Sequence, residues 1–204
     1  PSFCDYDLDG DLDLFVVTNR LHDPEGWPEK DPVVVKDGRP QLLPGAERYY
    51  FLTYPTATER YTIAPAGRPD RLFANNGNGT FTDVSRHAGI TARGDGLSAT
   101  WWDFNSDGLP DIYVGNDFED PDHLYRNSGD GTFTDVVAET MPHTTWFSMG
   151  ADAADLNGDA RLDLLVADMS ATTHEMQKRT MGQMDPTFLE TAWPRQYMRN
   201  TLFL

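Results

Sequence analysis

Asp103-Phe104-Asn105-Ser106-Asp107-Gly108-Leu109-Pro110-Asp111, running straight into Ile112 to Val114, is the stretch that decides the fold. The same design occurs twice more. Asp5-Tyr6-Asp7-Leu8-Asp9-Gly10-Asp11-Leu12-Asp13 leads into Leu14 to Val17, and Asp155-Leu156-Asn157-Gly158-Asp159-Ala160-Arg161-Leu162-Asp163 leads into Leu164 to Ala167. Oxygen side chains at loop positions 1, 3, 5 and 9 suit Ca²⁺, a hard ion that takes roughly six to eight oxygen ligands in flexible geometry. Without a cation, such groups crowded together repel one another. Three copies in one frame set coincidence aside.

Comparing the copies assigns roles to the positions. Position 7 is Asp11, Leu109 or Arg161, so the only ligand common to all three is the backbone carbonyl. Position 6 is Gly10, Gly108 or Ala160; a sharp turn favours glycine there, and Ala160 is expected to strain the third loop by about 1 kcal/mol. Gly158 adds slack two residues earlier. The expected ligand sets are Asp5, Asp7, Asp9, Asp13 and the Asp11 carbonyl; Asp103, Asn105, Asp107, Asp111 and the Leu109 carbonyl; and Asp155, Asn157, Asp159, Asp163 and the Arg161 carbonyl. Each set should hold one Ca²⁺, about three ions in all, with oxygens converging at about 2.3–2.6 Å. Positions 2 and 8 (Tyr6, Phe104, Leu156; Leu12, Pro110, Leu162) are apolar and are expected to anchor the loops on the core.

An EF-hand needs a bidentate Glu at position 12 between two helices. Position 12 here is Val16, Val114 or Val166, inside strand-like runs, which excludes it. The Gly-Gly-x-Gly-x-Asp nonapeptide array is also absent. The plain alternative is a set of acidic β-turns, with Asp and Gly in ordinary turn roles.

The loops belong to a longer repeat. Leu72 to Val84 matches Leu124 to Val136, 52 residues on, the interval that also separates Asp103 from Asp155. Each unit reads as four short strands: one ending at the loop, one leaving it, then Leu-aromatic-x-Asn, then Thr-Phe-Thr-Asp-Val. Asn78-Gly79 and Asp130-Gly131 predict type I′ hairpin turns between the last two. Strand two is apolar on both faces, as in a strand sandwiched between neighbouring sheets. Four-stranded sheets repeated around an axis make a β-propeller, so the fold expected is all-β, a partial β-propeller with the loops between strands one and two.

The alternation of Asp-x-[Asp/Asn]-x-Asp-Gly-x-x-Asp-[Leu/Ile] with Leu-Tyr-Arg-Asn-x-Gly-Asp-Gly-Thr-Phe-Thr-Asp-Val resembles the FG-GAP/VCBS repeats of integrin α-chain-type propellers. Val114-Gly115-Asn116-Asp117-Phe118 and Gln196-Tyr197-Met198-Arg199-Asn200-Thr201-Leu202-Phe203 resemble more narrowly the bacterial relatives of cartilage acidic protein, the ASPIC/UnbV-associated group. The likeness covers roughly residues 1–19, 70–170 and 196–204. It implies Ca²⁺ loops on a propeller, usually of seven blades, in secreted or surface proteins, and no catalytic residues. Ala160 departs from the pattern.

Residues 1–204 are expected to be a fragment of one propeller, with units at about 1–84, 97–136 and 147–204, the first interrupted by 20–69 and the truncated third by 169–199. Residues 20–69 carry Trp27, Tyr49, Tyr50, Phe51, Tyr54 and Tyr61 with a hairpin signal at Asp37-Gly38, and read either as a packed lid or as a ligand-binding excursion. In the second insertion, Thr172 to Glu175 has capping-box spacing and Gly182 a stop signal, predicting one short helix. Met169, Met176, Met181 and Met184 near it read as gap-fillers.

Net charge is −17, with 25 Asp against 8 Glu, a bias that fits metal loops and turns better than helices. Three bound Ca²⁺ would bring it to −11. So acidic a surface argues against nucleic acid or anionic membrane as the main partner. The lone Cys4 permits no internal disulfide and aligns with Trp102 and Ala154, a packing position. His22, His87, His123, His143 and His174 are scattered, with no His-Glu-x-x-His and no Gly-x-Ser-x-Gly. The expectation is therefore a non-enzymatic, calcium-binding extracellular, cell-surface or periplasmic module that binds a protein or carbohydrate ligand without inserting into a membrane. The alternative is a polysaccharide lyase or esterase on the same fold, which a cluster of Arg, Lys and His in one propeller mouth would favour. Arg93-Gly94-Asp95 spells an integrin-recognition tripeptide that turn chemistry explains adequately.

Overall fold

The computed structural model describes residues 1–19, 32–36, 38–53, 62–117, 120–169, 173, 175 and 193–204. Strands β1 (Ser2–Cys4) and β2 (Asp13–Val16) flank the first acidic loop. Two ribbons follow, β3 (Val33–Lys36) with β4 (Arg39–Leu42), and β5 (Tyr50–Thr53) with β6 (Thr62–Pro65). Next come β7 (Arg68–Pro69), β8 (Arg71–Asn75), β9 (Phe81–Asp83) and β10 (Arg93–Gly94). The second loop lies between β11 (Gly96–Trp102) and β12 (Asp111–Asn116), followed by β13 (His123–Asn127), β14 (Phe133–Asp135) and the single turn α1 (Val137–Thr140). The chain continues through β15 (His143–Thr145), β16 (Ser148–Ala154), β17 (Asp163–Asp168), β18 (Arg195–Tyr197) and β19 (Thr201–Phe203).

Three antiparallel sheets carry the repeat, ordered β1-β2-β8-β9, β11-β12-β13-β14 and β16-β17-β19. In each, the strand leaving the acidic loop pairs with the strand before it and with the Leu-aromatic-x-Asn strand or its counterpart β19. The sheets pack side by side because their second strands are apolar on both faces. Phe15, Leu72, Ile112, Val114 and Tyr125 fill the space between the first two sheets. Trp102, Tyr113, Leu124, Leu164 and Val166 fill the next. Burying such a side chain is worth about 1.5–3 kcal/mol, so these two layers hold the units in order.

Two expectations need correction. Neither hairpin turn is type I′: Asn75 pairs with Phe81 and Asn127 with Phe133, so five residues connect each pair. Gly77 and Gly79 take positive φ but Asn78 does not. The Asn78 and Asp130 carboxamide and carboxylate oxygens accept from the backbone N–H of Thr80 and Thr132 at 3.0 Å, a local turn that competes with I′ geometry. The apolar anchors also split: Tyr6 is buried against Phe133, with ring centroids 5.6 Å apart, and Phe104 packs on Trp102. Leu12, Leu156 and Leu162, by contrast, are exposed, because among the described residues no neighbouring sheet covers them. Among the described residues, α1 lies ahead of the third unit and a 3-10 turn spans Ala46–Arg48. The helix expected over Thr172 to Gly182, with Met176, Met181 and Met184, lies outside the described residues except at Thr173 and Glu175; Met169 is exposed.

The hairpin at Asp37-Gly38 has Lys36 opposite Arg39, with Gly38 at φ 74° and Asp37 itself outside the described residues. Trp27, Tyr54 and Tyr61 also lie outside them, and Tyr49 packs on Tyr50. Cys4 is half-buried, its thiol pushed up to about 11 by burial and by Asp5 and Asp13.

Candidate metal centre in the acidic loops

Each loop is wound around its own side-chain oxygens. The position 1 carboxylate accepts from the N–H groups of positions 5 and 6: Asp9 and Gly10 on Asp5 at 3.0 and 3.1 Å, Asp107 and Gly108 on Asp103 at 3.1 and 3.0 Å, Asp159 and Ala160 on Asp155 at 3.1 and 3.0 Å. Position 3 (Asp7, Asn105, Asn157) accepts from the N–H of position 5 at 3.3, 3.1 and 2.9 Å. Position 5 (Asp9, Asp107, Asp159) accepts from the N–H of position 7 at 2.9 Å in every loop. Position 9 (Asp13, Asp111, Asp163) is buried and accepts from the N–H of position 2 at 3.2, 3.2 and 2.9 Å. Three separate stretches of chain therefore adopt one geometry, with their side-chain oxygens turned inward.

In the first loop, carboxylate oxygens of Asp5, Asp7 and Asp13 lie within 4.8 Å of one another, a spacing one cation can bridge. Asp9 and Asp11 are outside that trio. In the second and third loops, Asn105 and Asn157 replace one carboxylate and bond instead to Asp107 and Asp159, at 2.8 and 3.3 Å. In the first two loops the position 7 side chain lies towards the following hairpin: a methyl group on Gly77 would meet the Asp11 carboxylate at 2.9 Å, and one on Gly129 would meet Leu109 at 3.1 Å.

Burial, with a smaller contribution from neighbouring carboxylates, shows in the acidities of three loop residues. Burial pushes Asp111 up to about 6 and raises Asp13, both against the backbone N–H bonds that favour their ionised forms. Asp7 is raised by burial and by the neighbouring Asp9. These are the shifts of acidic groups gathered without a counter-charge, and a divalent cation would reverse them.

Backbone strain is shared evenly among the loops, which the one-position reading of Ala160 missed. Positions 4 and 6 are both left-handed: Leu8 and Gly10 at φ 59° and 96°, Ser106 and Gly108 at 58° and 85°, Gly158 and Ala160 at 80° and 68°. Each loop thus has one glycine and one strained residue with a Cβ. The third exchanges their places and carries no extra penalty in kind.

Two supports escaped the sequence reading. The Asn of Leu-aromatic-x-Asn holds the loop: the N–H of Asn75 donates to Asp13 at 2.8 Å and that of Asn127 to Asp111 at 2.7 Å. The Asn127 carboxamide also donates to Pro110 O at 3.1 Å and, across the sheet boundary, to Tyr6 O at 2.9 Å. At the opposite end of the sheets, Asp70, Asp122 and Asn200 accept from the N–H closing strand two (Thr18, Asn116, Asp168) at 2.7, 2.8 and 2.8 Å. The signal was there in the Asp70 to Asp122 interval, which equals the repeat.

Arg93-Gly94-Asp95 is not presented as an adhesive tip. Arg93 and Gly94 are paired with Pro69 and Arg68, and the N–H of Asp95 donates to Asp120 at 3.0 Å.

Residues 61–114 and 103–166 each match the profile described as the FG-GAP-like repeat, together spanning 106 of the 204 residues. No curated protein matches the chain significantly.

Proposed function

Because the chain belongs to the FG-GAP-like repeat family, we propose that it is part of a Ca²⁺-stabilised β-propeller on the outside of the cell or in the periplasm, acting as a non-catalytic binding and scaffolding module. The single observation that carries this reading is the threefold recurrence of one inward-turned acidic loop, with Asp5, Asp7 and Asp13 gathered within 4.8 Å in the first. Asp5, Asp7, Asp9, Asp13 and the Asp11 carbonyl would hold one ion, with the Asp103 and Asp155 loops using their corresponding sets. Bound Ca²⁺ supplies the counter-charge that lets these carboxylates ionise together, the buried position 9 among them, and so clamps strand one to strand two.

The side-by-side packing of sheets supports propeller geometry. The face of the third sheet that carries Leu165 is the face that, at Phe15 and Tyr113, the following sheet covers. A ligand, protein or carbohydrate, would bind on the surface of this scaffold. The net charge of −17 disfavours nucleic acid, and among the described residues no helix is long and apolar enough to cross a membrane. His123 and His143 have partners that suit structural roles, the Asp135 carboxylate at 2.7 Å and Arg199 at 3.4 Å. Titration calorimetry with Ca²⁺ on chelator-treated protein tests the reading: saturable binding at about three sites with a rise in melting temperature is expected, and no heat together with an unmoved melt refutes it.

A further inference from the structure

From Trp193 to Arg199 every exposed residue is an aromatic ring or a guanidinium. Trp193, Arg195, Tyr197 and Arg199 are exposed, whereas Pro194 and Gln196 are buried and Met198 is half-buried. This is the alternation of an extended strand, in which one face recurs about every 7 Å. Gln196 anchors the inner side by donating to Asp120 O at 3.1 Å. The strand pairs in parallel with β15, setting His143 opposite Arg195 and Thr145 opposite Tyr197.

The outer face is braced from within. The Arg199 guanidinium carbon lies 5.0 Å from the Tyr197 ring centroid. The His143 ring stands edge-on to Tyr197 at 5.3 Å and tilted against Phe203 at 5.5 Å, with its Nε2 3.4 Å from Arg199 Nη2. Burial and the Arg199 cation lower the His143 pKa from its usual value, so at neutral pH the imidazole stays uncharged beside the arginine. The carboxylates nearby are already engaged by backbone donors: Asp168 by the N–H of Trp146 and Phe147 at 2.9 and 3.1 Å, Asp120 by the N–H of Asp95 at 3.0 Å. Among the described residues neither Arg195 nor Arg199 forms an ion pair, in a chain with 33 acidic side chains to offer.

We propose that this face binds a carboxylated sugar, presented as a short uronate-bearing glycan. Arg195 and Arg199 receive the carboxylate, a group their planar donors match. The ring of Trp193, 69% exposed, takes the apolar face of the sugar, while His143 and Tyr197 hold Arg199 in place. A long polyanion such as nucleic acid meets the field of a −17 chain along its whole length, whereas a short glycan with at most three carboxylates meets the two arginines first. The proposal rests on reading the chain as a binding module and is independent of its cation loops.

The test is calorimetry on the full chain in Ca²⁺ buffer with a galacturonate trimer, the corresponding neutral galactose trimer and hexathymidylate. Salt-sensitive binding of the galacturonate trimer is expected, weakened about tenfold or more in R195A/R199A and severalfold in W193A, with melting temperatures unchanged because these side chains are exposed. R126A, which removes an exposed arginine away from this face, should bind the trimer as the parent does. No binding of galacturonate, equal binding of the neutral trimer, tighter binding of hexathymidylate, or unchanged affinity in the double variant each overturns the proposal. Galacturonate binding that survives the double variant would leave the binding-module reading standing and remove only this site.

Discussion

The second and third sheets carry the same strand at the same register and treat it differently. In Asp111–Asn116 every residue is buried, whereas in Asp163–Asp168 burial alternates. Tyr113 is 0% exposed and its counterpart Leu165 is 46% exposed. Both residues are large and apolar, so the residue type does not set the difference. What differs is the sheet beyond: Tyr113 faces Leu164 and Val166 of the third sheet, and Leu165 faces none among the described residues. In a repeat, burial belongs to the junction between units and not to the unit.

The sharpest way to break that comparison is to truncate both residues. Tyr113→Ala is expected to cost about 3–5 kcal/mol, as for other buried aromatics, and it also deprives Asp122 of a hydroxyl donor at 2.5 Å. Leu165→Ala should stay within about 1 kcal/mol in urea melts of this chain. If the two cost the same, Leu165 is covered in solution and the asymmetry is false.

Chelation comes next. With a dissociation constant near 0.1 mM and about 1 mM Ca²⁺, each loop would add about 1.4 kcal/mol, and three together about 4 kcal/mol. Calorimetric melting should therefore fall by many degrees in chelator, with Mg²⁺ a poor substitute because it resists losing its waters. Asp107→Ala should remove one site in a Ca²⁺ titration and Leu109→Ala none, since the latter leaves the carbonyl in place.

Smaller still is the strain difference. Ala160→Gly and Ser106→Gly should each stabilise by a few tenths to about 1 kcal/mol, whereas Gly158→Ala should destabilise. Equal gains in chemical denaturation would support the shared-strain account; a gain at Ala160 alone would restore the view that the third loop is the weak one.

The remaining test is of pH. Burial pushes Asp70 and Asp122 up to about 6 in the folded chain, as it does Asp111 without a cation. A carboxyl raised on folding binds its proton more tightly in the native state, so stability should rise as pH falls from 7 towards 4. In chelator the melting temperature should climb over that window. In excess Ca²⁺ the climb should shrink or reverse, because the loops must shed protons to hold the ion. A melt that falls on acidification in chelator would contradict the burial of these groups.

The repeat, the strand order and the inward-facing loop positions were legible because they rest on local pattern: Asp at fixed positions, apolar runs of four to six residues, and a constant interval. What stayed hidden depends on partners far away in sequence. Nothing around Leu8 or Ser106 announces a left-handed backbone, since their neighbours in the loop impose it. Leu12 and Leu156 read as core residues by type, yet a leucine is buried only if something lies over it. The Trp193 to Arg199 ladder overlaps the Gln196 to Phe203 stretch that carried a family likeness, yet its outward face emerges only once Gln196 is seen turned inward.

The Asn127 clasp links two loops by a route far shorter than the chain itself. From the buried Asp111 carboxylate, hydrogen bonds pass through the Asn127 N–H, its carboxamide, Tyr6 O and the Tyr6 N–H to the buried Asp13 carboxylate. Tyr6 and Asn127 are 121 residues apart in sequence. Neighbouring loops are thus joined by a hydrogen-bonded chain: an ion held at one would pull on the carboxylate of the next, and to the extent that the sites depart from independence a Ca²⁺ titration should show a Hill slope above one that Asn127→Ala flattens.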